Sequence, residues 1–324
     1  MSDTDGLICA KILDGEGGGR QVDWPEIRAW KPDDGFLWVH IDPSGGEARH
    51  WLTEDSGIDP VIRSTLLQAE TRPRVLSQGE NLLVVLRGVN LNPGADPEDM
   101  VALRIWLERD RLVTVRRRRL MAVNDLREEL DAGTGPRNAG EFLSRIAGGL
   151  IDRMGPIIGD IEDRVDHLED EVLTAHSAAL RNELAEVRRD AIALRRHLAP
   201  QRDMMARLPM EQGGGLEPEH RAQLREIAER TMRYVEDLDA VRERATVVQD
   251  ELNNRISDQM NRTMYVLTVV AAVLLPPSLL TGLLGINVGG MPGVDSPLAF
   301  GLVALSLFVL AAVEIVVLRK LKWI

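Results

Sequence analysis

The sequence predicts an α/β cytosolic domain followed by a long helical stalk and two C-terminal transmembrane helices, so the chain is read as an α-helical membrane protein. Three observations predict this class. Runs of β-branched and aromatic residues fill the first 120 residues, charged helical patterns follow, and two apolar segments of 21 residues lie near the C-terminus. Because two spans per chain cannot enclose a pore, a transport function would require several copies.

The first 120 residues have the pattern of a sheet with short turns. Strands are predicted at residues 7–13, 36–41, 75–77, 81–89, 101–108 and 111–115. Residues 77–80 and 109–110 predict hairpin connections, and residues 59–70 predict a helix. The glycine-rich segment 14–19 lacks the Lys-Ser or Lys-Thr pair of a phosphate-binding loop and predicts a turn. Four arginines at 116–119 are typical of a solvated or interfacial charge cluster, which we favour over a phosphate site.

From about residue 120 the chain has a helical and highly charged pattern. A helix is predicted over residues 141–176, with interruptions at Gly148-Gly149 and Gly155-Pro156. Its apolar face is formed by Ile146, Leu150, Ile157, Ile161, Val165, Leu168 and Val172. A second helix over residues 178–208 and a glycine-containing turn at 209–218 complete an antiparallel pair. The third helix begins near Glu219 and is predicted to continue unbroken to Gly285.

The third helix carries one line of residues with the 3.5-residue period of a coiled-coil seam, which implies parallel copies around an axis. The line is polar in its first half and then small, hydroxyl-bearing or unbranched. A water-filled channel would satisfy such groups, whereas a dry seam would not; a solvated helix face is the alternative. The predicted pore-lining residues are Asp250, Asn254, Ser257, Asn261, Met264, Thr268, Ala271, Leu275, Ser278 and Gly282.

The charges that flank the two spans predict the orientation. Arg319, Lys320 and Lys322 follow the second span, Arg255 and Arg262 precede the first, and the connecting loop has neither Lys nor Arg. The positive-inside rule then predicts an inner (plasma) membrane protein with both termini in the cytoplasm. We expect no signal peptide, because no basic segment followed by an apolar one occurs at the start.

The composition of the chain limits the classes of partner that we expect it to bind. The net charge of −12 argues against nucleic acid as a partner, and the single cysteine, Cys9, excludes an internal disulfide.

Glu314 is the one carboxylate of the spans, and snorkelling or a basic partner such as Arg319 is the favoured interpretation of its role. Asp163, His167 and Glu171 share one helical face and form a candidate metal site, although a solvated acidic face is the preferred reading.

The loop between the spans carries a recognisable motif. Gly285-Ile286-Asn287, directly after the first span, resembles the Gly-Met-Asn signature of the CorA-type metal ion transporter superfamily. Ile286 departs from the magnesium pattern. With the following Val288-Gly289-Gly290-Met291-Pro292-Gly293, the segment is similar to the ZntB-like branch of zinc transporters.

The resemblance implies a pentameric, funnel-shaped homo-oligomer in which Gly285, Ile286 and Asn287 form the selectivity filter. It implies no enzyme activity and no cofactor, and it favours uptake of Zn²⁺ while leaving proton coupling open. Asp295 is the candidate for attracting cations to the outer loop, with a helix N-cap as the alternative. The predicted division is an α/β domain at 1–120, an acidic helical hairpin region at 121–217, a cytosolic stalk at 218–263, a first span at 264–284, an outer loop at 285–296, a second span at 297–318 and a basic cytosolic tail at 319–324.

Zinc preference rests on this resemblance alone. The loop and both spans contain neither His nor Cys, so a dry zinc cage of nitrogen and sulfur ligands is excluded there. Amide oxygens from Asn287 would hydrogen-bond the water shell of a hydrated divalent ion and would accept Mg²⁺, Co²⁺, Ni²⁺ and Zn²⁺ alike. Two alternatives therefore stay open: a Mg²⁺ or Co²⁺ channel of the same superfamily, and a non-conducting, membrane-tethered metal sensor or scaffold.

Overall fold

The computed structural model describes residues 5–174, 178–286, 293 and 296–320. The chain forms two compact units, Met1–Gln249 and Asp250–Ile324, and each is described by itself. The first contains a seven-stranded mixed sheet in the order β2-β1-β3-β7-β6-β5-β4. Its strands are β1 Leu7–Leu13, β2 Gly19–Gln21, β3 Phe36–Ile41, β4 Arg74–Gln78, β5 Asn81–Gly88, β6 Val101–Leu107 and β7 Arg111–Arg116. Only β3 and β7 pair in parallel, and all other neighbours are antiparallel.

The six predicted strands are confirmed to within two residues at each end, and both hairpin connections join antiparallel neighbours. Strand β2 was missed because its three residues are only intermediate or exposed, which leaves no apolar signal. The turn predicted at 14–19 is confirmed: the Asp14 amide donates to the Gly18 carbonyl at 3.1 Å, and β2 begins at Gly19. The predicted helix at 59–70 is shorter, Pro60–Leu67.

Both faces of the sheet are covered, so β3 is an apolar run rather than an alternating one. One face packs against α1 Trp24–Ala29, α2 Gly46–His50 and α3 Pro60–Leu67, where Val39, Ile41 and Trp51 belong to one buried cluster. The other face carries Trp38, whose ring contacts Phe142 edge-on at 4.9 Å between centroids. The sheet is therefore the middle of three layers.

A buried polar network connects β3 to β7. The Trp38 indole donates to the Thr114 hydroxyl at 2.9 Å, and His40 Nδ1 lies 2.8 Å from the same oxygen. Arg116 Nε lies 3.0 Å from His40 Nε2. Because a guanidinium can only donate, Nε2 must accept, which places the proton of a neutral His40 on Nδ1. Burial lowers the pKa of His40 well below 6.5, and the charge of Arg116 lowers it further.

Acid should therefore destabilise this domain through His40. In the unfolded state the His40 imidazole titrates near pH 6.5, so below that pH it binds a proton that it does not bind in the folded state. The free energy of unfolding therefore falls by up to about 1.4 kcal/mol per pH unit. We expect His40→Gln to cost about 1–3 kcal/mol at neutral pH and to flatten the decline between pH 6.5 and 5 in thermal unfolding. His50→Gln, at an exposed site, is the control. An unchanged slope in His40→Gln would contradict the assignment.

Four helices continue the first unit: α4 Met121–Asp131, α5 Ala139–Asp152, α6 Gly155–Thr174 and α7 Ala178–Arg207. The predicted interruption at Gly155-Pro156 is confirmed, since α5 ends just before it. The predicted break at Gly148-Gly149 is wrong: α5 passes through it, and a Cβ on Gly149 would lie 3.3 Å from the Ala122 side chain of α4. Within α6, Ile158 is buried in place of the predicted Ile157, which is half-buried, and the other predicted residues of this face are buried.

The acidic face of α6 is partly neutralised by basic residues of other helices. Arg244, in the helix α8 Pro218–Leu284, lies 2.5 Å from Asp166 and 2.8 Å from Glu169. Arg164 of α6 reaches Asp190 of α7 at 2.9 Å. Sequence reasoning described this face as solvated, because the partners lie far away in the chain.

The last long helices are α8 Pro218–Leu284 and α9 Ala299–Lys320, and both are long and apolar enough to cross a membrane. The turn before α8 includes Gly213, Gly214 and Gly215, which all have positive φ, a conformation that favours glycine. The predicted unbroken third helix and two C-terminal spans are confirmed. The seven-part division of the chain stays a prediction.

Candidate functional site

The predicted pore line lies on one helix. All ten of its residues fall within α8, and all ten are exposed in the single chain. They extend from Asp250 to Gly282, and all belong to the second unit. Because all ten residues are exposed, no other element of the described part of the chain covers this line. Its surroundings must therefore be water, lipid or other copies.

The hydroxyl groups of this line are partly satisfied by the helix itself. Ser257 donates to the Asn253 carbonyl at 2.9 Å, and Thr268 donates to the Met264 carbonyl at 2.8 Å. These two hydroxyls therefore do not need water as an acceptor, contrary to the argument from sequence. Their lone pairs still face outward as acceptors. The polar character of the line rests chiefly on Asp250, Asn254 and Asn261.

The end of α8 explains one glycine of the Gly-Ile-Asn motif. The Gly285 amide donates to the Thr281 carbonyl at 2.9 Å and to the Gly282 carbonyl at 3.2 Å, which closes the last turn. A Cβ on Gly285 would lie only 3.2 Å from the Thr281 carbonyl oxygen, so close approach rather than positive φ favours glycine here. Ile286 is 48% exposed. Asn287 and Asp295 lie outside the described residues.

The two candidate spans each contain a residue type that is unusual in an apolar helix: proline in α8 and glutamate in α9. Pro276 and Pro277 lie inside α8, which continues through them. In α9, the Glu314 Oε2 atom is buried and has no hydrogen-bond partner among the described residues. No ion pair joins Glu314 to Arg319 within residues 299–320, so the expected basic partner is not formed there. One oxygen of this carboxylate is therefore an unpaired acceptor in an apolar helix, within the described residues of α9.

The candidate metal residues on α6 are only partly assembled. His167 Nε2 lies 3.7 Å from Glu171 Oε1, and the His167 side chain is 70% exposed. Over residues 5–174, 178–286, 293 and 296–320, no group of three or more His, Cys, Asp or Glu residues is arranged to hold a metal ion. A site at Asp163, His167 and Glu171 stays a prediction.

Sequence reasoning missed a crowding of carboxylates between α6 and α8. Burial raises the pKa of Glu162, and the charge of Asp237 raises it further. Burial likewise raises the pKa of Asp237. The two residues are distant in the chain, so only the packing of the helices reveals their proximity.

An α/β domain, a stalk helix and two C-terminal membrane helices define a class of membrane transport protein. Residues 33–320 match the family described as CorA-like Mg2+ transporter protein, and the chain belongs to that family. This confirms the resemblance drawn from the Gly-Ile-Asn motif.

Relatives of known name span nearly the whole chain. The divalent cation transporter CmaX of Pseudomonas aeruginosa is 41% identical over 326 residues, which cover 99% of this chain and 98% of CmaX. The zinc transport protein ZntB of Pectobacterium atrosepticum is 35% identical over 320 residues, 98% of this chain and 96% of ZntB. The structure of full-length CmaX superposes with a TM-score of 0.86 at 40% identity and covers 99% of both chains. The predicted fold class is thereby confirmed.

Proposed function

We propose that the chain is a homo-oligomeric divalent metal cation transporter, a pentamer in the inner membrane, with α8 lining the pore and Zn²⁺ as the favoured ion. The observation that carries the proposal is the exposed line of ten residues on α8 in a member of this transporter family. A helix that faced only lipid would be apolar all round. Copies of α8 arranged around an axis would instead surround water with this line.

The ligand chemistry supports passage of a hydrated ion. The line offers carboxylate, amide and hydroxyl oxygens, and residues 264–318 contain neither His nor Cys. Oxygen ligands can hold the water shell of a divalent ion without removing it, and removal is costly. The Zn²⁺ preference rests on kinship with proteins named ZntB.

Two alternatives stand beside this proposal. A Mg²⁺ or Co²⁺ channel is supported by the family description and by the absence of nitrogen and sulfur ligands in the spans. A non-conducting sensor or scaffold would need neither the exposed α8 line nor the Gly-Ile-Asn motif. Transport is therefore the better-supported class.

Reconstitution tests the proposal. Purified protein in liposomes should admit Zn²⁺, Co²⁺, Ni²⁺ or Mg²⁺, measured with an internal metal-sensitive dye against empty liposomes. Flux that rises when the outside is acidified at constant voltage would establish proton coupling, whereas unchanged flux would establish passive flow. No flux of any of the four ions would overturn the transport proposal in favour of a sensor or scaffold.

The orientation has its own test. A cysteine in place of Asp295 should react with a membrane-impermeant maleimide added outside intact cells, because the loop is proposed to face outward. We expect little labelling of the native cysteine, because Cys9 is 3% exposed and burial raises the pKa of its thiol to about 12. Wild-type protein is thus a sufficient control. Labelling only after the cytoplasmic side is opened would reverse the topology.

A further inference from the structure

A basic cleft lies in the first unit, whereas the residues proposed to line the pore belong to the second. Its volume is about 910 Å³, which is in the range of small-molecule sites. Seven arginines line it, and the only carboxylates among the lining residues are Glu70 and Asp99. The difference of seven and two leaves five positive charges, in a chain whose net charge is −12.

The arginines come from separate parts of the fold. Arg72 precedes β4, Arg74 lies on β4, Arg87 on β5 and Arg104 on β6. Arg117 and Arg118 follow β7, and Arg196 lies on α7. The run of arginines at 116–119, which the sequence favoured as a solvated cluster, thus contributes two members to a concave site. Segments that are distant in the chain therefore place arginine side chains around the same cleft.

Arg104 is the buried member of this group. The residue is 1% exposed, and its Nη2 donates to the carbonyls of Gln68 at 2.5 Å and Ala69 at 3.0 Å. Its Nε has no hydrogen-bond partner among the described residues. Burial, together with the charges of Arg117 and Arg87, lowers the pKa of Arg104 to about 10. Within the described part of the chain, no carboxylate contributes to this pKa or offsets the charge of the guanidinium.

The other arginines are held mainly by neutral groups. Arg87 donates to the Thr71 carbonyl at 2.9 Å and the Met100 carbonyl at 2.7 Å, and Arg117 donates to the Leu67 carbonyl at 2.9 Å. Among the described lining residues, the one ion pair recorded joins Arg118 to Asp99. Carbonyl acceptors orient a guanidinium but do not cancel its charge, so like charges remain crowded around the cleft.

We propose that this cleft binds a soluble oligophosphate, an anion of the di- or triphosphate class. Guanidinium groups match phosphate oxygens with paired hydrogen bonds, and several at once favour a ligand with several phosphates. The buried Arg104 and the half-buried Arg87 form the floor, while Arg72, Arg117 and Arg196 are exposed at the rim and accessible to a ligand. His197 lines the same cleft, and burial lowers its pKa to about 4, so at neutral pH it adds no charge.

Binding is measured on full-length protein in detergent, with chelator present so that metal binding to the anion plays no part. Isothermal titration with tripolyphosphate, pyrophosphate and inorganic phosphate should give affinities that fall in that order. ATP in place of tripolyphosphate distinguishes a nucleotide from a bare oligophosphate. Mixed micelles with phosphatidic acid, which compete only if a lipid headgroup is the source, provide the remaining comparison. The assay reports binding, so it is independent of transport.

The variant pair Arg72→Gln with Arg196→Gln removes two exposed rim charges and should weaken tripolyphosphate binding by about tenfold or more. The matched control Arg225→Gln with Arg63→Gln removes two charges outside the cleft lining and should leave affinity within about twofold. Equal losses in both pairs would mean nonspecific attraction and overturn the proposal. A second result would also overturn the proposal: wild-type protein binds no oligophosphate, and the variant Arg72→Gln with Arg196→Gln dissociates the oligomer. A neighbouring copy of the chain would then occupy the cleft.

Discussion

Asn287→Ala should abolish selective divalent cation flux while leaving the assembled protein intact. The carboxamide offers both a carbonyl acceptor and an amide donor, so a ring of Asn287 side chains can orient the water shell of an ion and hold the loop. Alanine removes both functions at the proposed filter and leaves α8 unchanged. Flux into liposomes and the oligomer size on a gel-filtration column are the two measurements.

A matched substitution separates the filter from a general effect on α8. Asn253→Ala removes an exposed carboxamide next to the proposed line but not on it, and should conduct like wild type. Asn287→Asp keeps the shape and adds one charge per copy, so ions should bind more tightly and leave more slowly. We expect a lower maximal flux with a lower half-saturating concentration. A normal flux curve for Asn287→Ala would move the filter elsewhere, with Asp295 as the next candidate.

Leu275→Ser should raise the leak of ions through the closed protein. Leu275 is 66% exposed and Met264 is 58% exposed, and both are bulky apolar members of the α8 line. Rings of such side chains block ions by excluding water, so a hydroxyl at one ring should let water and ions through. Conductance in planar bilayers, measured under conditions that close the wild type, is the readout.

The neighbouring Leu274 is the control for this result. It is 59% exposed on the same helix but lies off the line, so Leu274→Ser makes the same chemical change on another face. Its leak should equal that of wild type. If both variants leak equally, the serine has weakened the helix in general, and if neither leaks, the register of the line is wrong.

Sequence periodicity was sufficient to predict those elements whose pattern depends on residues close together in the chain. Strand β1 was predicted at its observed bounds, Leu7–Leu13, because its apolar residues lie between turn residues. The apolar face of α6 shows the limit of this approach. Helical spacing allows either of two adjacent residues before Ile161, and Ile158 is buried instead of the predicted Ile157. Strand β2 gave no apolar signal, because it is short and lies at the sheet edge.

By itself, the sequence determined six of the seven strands, the two candidate spans and the Gly-Ile-Asn motif, and it gave the line of residues on α8 that is proposed to line the pore, because each depends on residues that are close in the chain. Only the tertiary structure decided which charges meet. Arg244 pairs with Asp166 and Glu169, His40 accepts from Arg116, and Arg104 shares a cleft with Arg196. These contacts join residues of different elements, and electrostatic energy depends on distance and burial in space, which short-range sequence patterns do not encode.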